Sequence, residues 1–235
     1  PELISHYELT DSLDVGCGVG YFTSYLRNLG LRAAGFDARE ENIVEAKKRH
    51  PGIEFYVHDV EDLAVVKLGV FDLVLCTGLL YHLENPFKAI RHLEALTGKV
   101  LIIETMIYPK KDPVAILIDE GSEKDQSLRN VAFVPSESCE VKMLFRSGFG
   151  HVYRLIYQPD HDDYQSTLIH KRKRVMMVAT REASCSEMLA SVLEARGVEP
   201  WSRKPYRLWA RLGAALAKPT SAYGIIGKEK SGRCR

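Results

Sequence analysis

The chain has 235 residues, with 32 Lys and Arg against 31 Asp and Glu, and it is 46% hydrophobic and 27% charged. That length suits one α/β domain with appendages, and the apolar fraction supports a sizeable core and excludes disorder for most of the chain. No apolar run approaches the roughly 20 residues of a membrane-spanning helix.

The five cysteines (Cys17, Cys76, Cys139, Cys185, Cys234) are scattered and hold no C-x-x-C pair. They read as reduced thiols in a cytoplasm, and as neither a disulfide framework nor a zinc site. The chain starts at Pro1 without a Met, as a trimmed or partial chain would, and its first residues show no signal-peptide pattern.

In chain order, residues 12–16 are short and apolar and run into a glycine cluster. Phe22, Tyr25, Leu26 and Leu29 recur at helical spacing over 21–29, and Gly30 stands where a C-terminal cap belongs. Residues 31–37 predict a strand ending at Asp37, 40–50 a helix closed by Pro51-Gly52, 54–58 an alternating strand and 71–77 a buried one. Asn85-Pro86 opens a helix to about Leu96, and 99–104 predict a fifth strand. Strand alternating with helix specifies a parallel sheet covered on both faces.

The rhythm then changes. Residues 105–134 carry Pro109, Pro113, a short apolar run at 114–118 and a polar stretch at 120–130. Pro135-Ser136-Glu137 starts a helix ending near Gly148, and 151–157 and 174–180 predict strands. Their connection, 158–173, is too short for a helical crossover, which favours an antiparallel hairpin at the sheet edge. Residues 184–196 predict a further helix.

The most informative run is Asp14-Val15-Gly16-Cys17-Gly18-Val19-Gly20, between a strand and a helix. Alternate glycines let the backbone turn tightly and approach a ligand that a β-carbon would exclude. A dinucleotide requires G-x-G-x-x-G, but the third position counted from Gly16 and Gly18 is Tyr21, so that fingerprint fails. Asp14 would repel a pyrophosphate and suits a ligand carrying an ammonium group. Cys17 has no neighbour in sequence that would lower its pKa and reads as a small filler.

Asp37 ends the second strand, where a carboxylate can accept both hydroxyls of a ribose; it can equally cap the helix that follows. Asp59, in His58-Asp59-Val60-Glu61-Asp62, is placed to meet an adenine amino group, or else belongs to a solvated acidic loop. The fourth strand ends at the same edge, with Thr77 at its open end.

This ordered set resembles the class I S-adenosylmethionine-dependent methyltransferases over about residues 10–180. The resemblance implies a Rossmann-like, doubly wound α/β fold with a seven-stranded sheet, mostly parallel with an antiparallel edge hairpin. It places that domain at 1–183, with 105–134 as a lid over the acceptor, and leaves 184–235 as a C-terminal helical extension. It further implies S-adenosyl-L-methionine as cofactor. Gly16, Cys17, Gly18 and Gly20 would flank its methionyl and ribose parts, Asp14 its ammonium, Asp37 the ribose, and Asp59 with Val60 the adenine, beside Thr77.

Chemistry belongs to Thr77-Gly78-Leu79-Leu80-Tyr81-His82-Leu83-Glu84-Asn85-Pro86. His82 has the right intrinsic pKa for a base, and can instead brace the turn before Pro86. Tyr81 can touch the acceptor or a donor substituent, or be an ordinary buried aromatic. Leu80-Tyr81-His82, the run from Arg129 to Ser136 and Arg172 are, more narrowly, similar to the tRNA wobble-uridine carboxymethyltransferases. That likeness implies that Tyr81 and Arg172 bind the extra carboxylate of carboxy-S-adenosylmethionine; the residues alone leave Lys171–Arg174 equally readable as a solvated loop. His161, among Asp160, Asp162 and Asp163, does not read as a metal site, because adjacent loop residues rarely point inward together.

The expected function is methyl transfer to a small-molecule or nucleic-acid (RNA) acceptor, with carboxymethyl transfer to a tRNA uridine as the alternative. A non-catalytic cofactor-binding module and an NAD oxidoreductase are the other readings. Residues 200–235 hold nine Lys/Arg against Glu229 alone, a net +8, on a body of −7. With Arg207, Arg211 and Lys218 on one stripe and Tyr206, Trp209, Leu212 and Leu216 on another side, this segment suggests a helix that docks on the domain, lies on an anionic membrane surface or follows a nucleic-acid backbone.

Overall fold

The computed structural model describes residues 1–121, 127–166, 173–184 and 186–192. Its elements run α1 (Glu2–His6), β1 (Asp11–Val15), α2 (Tyr21–Asn28), β2 (Arg32–Asp37), α3 (Glu40–Arg49), β3 (Glu54–Val57), β4 (Phe71–Thr77), α4 (Pro86–Leu96) and β5 (Thr97–Met106). Then follow β6 (Ala115–Asp119), β7 (Val131–Pro135), α5 (Glu137–Ser147), β8 (His151–Leu155), β9 (Arg174–Thr180) and β10 (Leu189–Ser191). Each strand and each helix expected up to residue 180 is present.

The main sheet has the order β10-β8-β9-β5-β4-β1-β2-β3. Its β5-β4-β1-β2-β3 part is parallel, and β9, β8 and β10 join antiparallel. The order reverses at β1, which has β2 on one side and β4 on the other, and this leaves a crevice outside the carboxyl ends of those strands. The loops that follow β1, β2, β3 and β4 therefore open at one edge.

Side-chain alternation along the strands builds a core on each face. From β4, Val74 and Cys76 join Leu13, Phe36, Ile90, Leu93, Leu101 and Leu144 on one side. Leu73 and Leu75 join Leu26, Leu31, Val100 and Val178 on the other. Helix α3 carries Glu40 and Glu41 in its first turn and Lys47, Lys48 and Arg49 in its last, matching the helix dipole at both ends. Ser136 caps α5 by accepting from the Cys139 amide.

Three expectations need correction. Among the described residues the sheet has eight strands and not seven, because residues 189–191, expected within a helix, pair antiparallel with 155–153 of β8. Met188 and Leu189 pack on the core beside Tyr153 and Leu155, and the pairing covers the otherwise open backbone edge of β8. The 105–134 segment contains a two-stranded sheet of its own, β6 with β7, which the Pro residues and polar stretch obscured. In α2, Leu26 enters the core while Phe22 and Tyr25 remain exposed.

The expected extension beyond Val192 and its basic helix lie outside the described residues. No helix among the described residues is long and apolar enough to cross a membrane.

Candidate functional site

The β1–α2 loop turns so tightly that Gly16, Gly18 and Gly20 all have positive φ. A Cβ on Gly20 would lie 2.7 Å from the Phe55 ring and 2.9 Å from His50, so this glycine sets the packing of the loop on β3. Gly20→Ala is expected to destabilise the fold by about 1–3 kcal/mol through overpacking and backbone strain, measurable by urea denaturation. Gly18 differs: nothing lies within 4 Å of the Cβ it lacks, and that space opens outward.

Beneath the loop, Asp14 is buried and its Oδ2 accepts from Thr23 Oγ1 at 2.6 Å. Burial pushes its pKa up to about 6, against the lowering effect of the Thr23 bonds. The carboxyl braces the loop from below and is not a wall of the cleft. Cys17 is also buried, and desolvation, with Asp14 and Asp37 nearby, drives its pKa far above the ordinary thiol range. It is a filler and no nucleophile.

Asp37 combines the two roles open to it. Its Oδ1 accepts from the Arg39 amide at 2.8 Å, a local cap on α3, and from Asn42 Nδ2 at 3.2 Å. Its Oδ2 accepts from the Gly18 amide at 3.0 Å, tying β2 to the glycine loop at the cleft. The cleft, about 170 Å³, is lined by Gly16, Asp37, Asp59, Val60 and His82 among others. Five of the expected site residues thus converge. Thr77 and Tyr81 are not part of that wall, and Arg172 lies outside the described residues.

Asp59 takes the Glu61 amide on Oδ1 at 2.9 Å, so the acidic loop is built and not merely solvated. The buried His92 holds the same loop from behind through Nδ1 and the Val60 carbonyl oxygen, 2.7 Å apart. Arg129 from the 105–134 segment reaches across: Nη1 to Glu61 Oε2 at 2.7 Å, Nη2 to Asp59 Oδ2 at 3.3 Å and Nε to Glu84 Oε2 at 3.4 Å. One guanidinium therefore joins three carboxylates at the cleft mouth.

At the end of β4, His82 Nδ1 lies 2.7 Å from Glu120 Oε2, and Ser127 Oγ donates to the His82 carbonyl oxygen at 2.7 Å. The Tyr81 hydroxyl accepts from Arg174 Nη2 at 2.9 Å, while Arg174 Nη1 donates to Glu104 at 2.8 Å and Glu104 accepts from the Gly78 amide at 3.1 Å. The arginine seated on Tyr81 is thus Arg174, the first residue of β9, from the same basic run that contains Arg172. Strand register was the available signal: Arg174 pairs with Met106 at the carboxyl end of β5. Glu120 and Ser127 had no sequence signal, since they come from a polar stretch, whereas Arg129 opens the run that carries the narrower family resemblance.

His161 caps a short helical turn by accepting from the Asp163 amide. Among the described residues, no three His, Cys, Asp or Glu side chains gather as a metal site requires.

Residues 13–98 match the family described as "Methyltransferase domain". The chain is 30% identical over 151 residues to a tRNA U34 carboxymethyltransferase of Colwellia psychrerythraea, covering 60% of this chain and 44% of that protein. It is 32% identical over 149 residues to the enzyme of the same description from Psychromonas ingrahamii, with the same coverage. The chain spans about half the length of the curated relatives it matches.

Among solved structures, the N-terminal domain of EvdMO1 with SAH bound aligns with a TM-score of 0.64 at 20% identity, over 76% of this chain and 78% of that one. Magnesium protoporphyrin IX methyltransferase (ChlM) from Synechocystis PCC 6803 with bound SAM aligns at 0.53 and 22%, over 77% and 75%. The chain has the fold of the class I S-adenosylmethionine-dependent methyltransferases, and its residues 13–98 match the methyltransferase-domain family, with a weaker similarity to the tRNA U34 carboxymethyltransferases.

Proposed function

We propose that this chain is an S-adenosylmethionine-dependent methyltransferase acting on a small-molecule or RNA acceptor, in a reducing compartment such as the cytoplasm. The observation that carries this reading is the Gly18 amide held on Asp37 at the cleft, with open space where a Gly18 side chain would stand. A ribose fits there, because Asp37 Oδ2, which accepts the Gly18 amide, has a second lone pair for a hydroxyl. Asp59 and Val60 would meet the adenine, and Gly16 would face the methionyl part.

When bound, the cofactor supplies an already activated methyl group on a sulfonium. The protein's task is therefore alignment and acceptance of a proton from the acceptor. His82 lines the cleft at the end of β4 and can take that proton. Mass spectrometry of nucleotide copurifying with the chain tests the reading: S-adenosylmethionine or its demethylated product is expected, and NAD would contradict it.

A second reading, carboxymethyl transfer to a tRNA wobble uridine, is supported by Arg174. Its guanidinium is fixed between Glu104 and Tyr81 at the chemistry edge and keeps N–H donors beyond those two bonds. If it receives the donor's carboxylate, Arg174→Lys should weaken carboxy-S-adenosylmethionine about tenfold or more, because an ammonium cannot replace a bidentate fork. Plain S-adenosylmethionine should change far less. Equal losses for the two donors, measured by calorimetry, favour plain methyl transfer.

A further inference from the structure

The segment after β6 carries two groups that close on His82, although neither had any mark in the sequence. Glu120 Oε2 receives the Ser127 amide at 2.8 Å and lies 2.7 Å from His82 Nδ1. Ser127 Oγ completes the ring of contacts by donating to the His82 carbonyl oxygen at 2.7 Å. The pair is largely enclosed, with side-chain exposures of 15% for His82 and 11% for Glu120.

The proton can be placed by elimination. A backbone amide only donates, so the Glu120 oxygen that meets Ser127 N is an acceptor. Where that carboxylate is ionised, the oxygen accepts from both neighbours, and the imidazole nitrogen facing it is the donor. In the neutral ring this leaves the lone pair on Nε2. The ring itself cannot turn freely: it packs on Tyr81 with centroids 4.1 Å apart, and Tyr81 is held by Arg174. The main-chain amide of His82 donates to Leu79 O at 2.9 Å, fixing the turn from which the ring projects.

We infer that Glu120 is a positioning residue for His82, holding it as the Nδ1–H tautomer with Nε2 as the proton acceptor of the transfer reaction. This rests on the methyl-transfer reading. The step balances without a further reactant. The acceptor's X–H bond breaks and its proton passes to Nε2. The electron pair forms the bond to the methyl carbon, and the S–C pair remains on sulfur. The imidazolium that results is then stabilised by the ionised Glu120, the arrangement in which a carboxylate on the far nitrogen of a histidine base favours the charged ring.

The test is nitrogen-15 NMR of the histidine ring in the full chain, alone and with S-adenosylmethionine, for the native protein and two variants. The native protein should show Nδ1 protonated and Nε2 unprotonated at mildly alkaline pH. Glu120→Gln retains an acceptor oxygen in the same place and should keep that tautomer. Glu120→Leu removes it, and the proton should redistribute toward Nε2.

An Nε2–H tautomer in the native protein, or a ring unaffected by Glu120→Leu, overturns the assignment. The native measurement decides even if Glu120→Leu fails to fold. The donor reading is scored separately by S-adenosylmethionine affinity, expected to stay within about twofold in both variants. A native chain that binds no donor would overturn the methyl-transfer reading, and the proton-acceptor role with it, whatever the tautomer.

Discussion

Asp37→Ala is expected to weaken S-adenosylmethionine binding by about 1–3 kcal/mol, roughly five- to 150-fold. Two effects add. The variant removes the carboxylate available to the ribose, and it releases the Gly18 amide and the Arg39 amide that the same group now holds. Gly18→Val should produce a loss of similar size for a different reason. Its branched side chain fills the open space above the loop and imposes strain at a φ of +52°. Calorimetry reads both. Unchanged affinity in both variants would remove the cofactor assignment, whereas loss of folding in either would show in its thermal melt.

The second large effect is on stability and has the opposite sign. Glu140 of α5 is fully buried, and neither carboxyl oxygen has a hydrogen-bond partner among the described residues. Desolvation, reinforced by Glu104, raises its pKa well above the ordinary glutamate value. In strong acid, both folded and unfolded chains carry the proton, and no pH-dependent penalty exists. As pH rises through the ordinary glutamate value, the unfolded chain ionises while the folded chain retains its proton, so stability falls until the folded pKa is reached.

Glu140→Leu should therefore stabilise the protein by about 1–3 kcal/mol near neutrality, and by less at about pH 5. Urea denaturation at both pH values checks the sign. A destabilised variant, or an equal gain at both, would contradict it. Asp14 gives a smaller slope of the same sign, ending near its pKa of about 6, and that slope should persist in the variant.

The parts of the fold and site that could be read in sequence are those governed by local chemistry. The continuous apolar runs along 71–77 and 174–180 mark strands, because side chains on successive residues go to opposite cores. The glycine run marks a backbone turn that only glycine adopts easily, and Asp37 and Asp59 follow strands whose ends the parallel topology brings to one edge.

What escaped is set by contacts across long separations. Arg129 meets Glu61 across 68 positions and Arg174 meets Tyr81 across 93, and charged residues in polar stretches look alike whether they face water or a cleft. Asp14 fits an ammonium ligand by charge, but its depth below the loop is a packing outcome. β10 was hidden for a related reason: a three-residue edge strand is stabilised by its partner more than by its own pattern.

The most direct measurement is a calorimetric titration of the native chain with S-adenosylmethionine, with S-adenosylhomocysteine and NAD titrated in parallel. Saturable binding of the first two and none of NAD is the result predicted by an occupied Asp37–Gly18 cradle and a glycine loop without the third dinucleotide glycine. Binding of NAD, or no binding of either adenosyl ligand, would contradict the account.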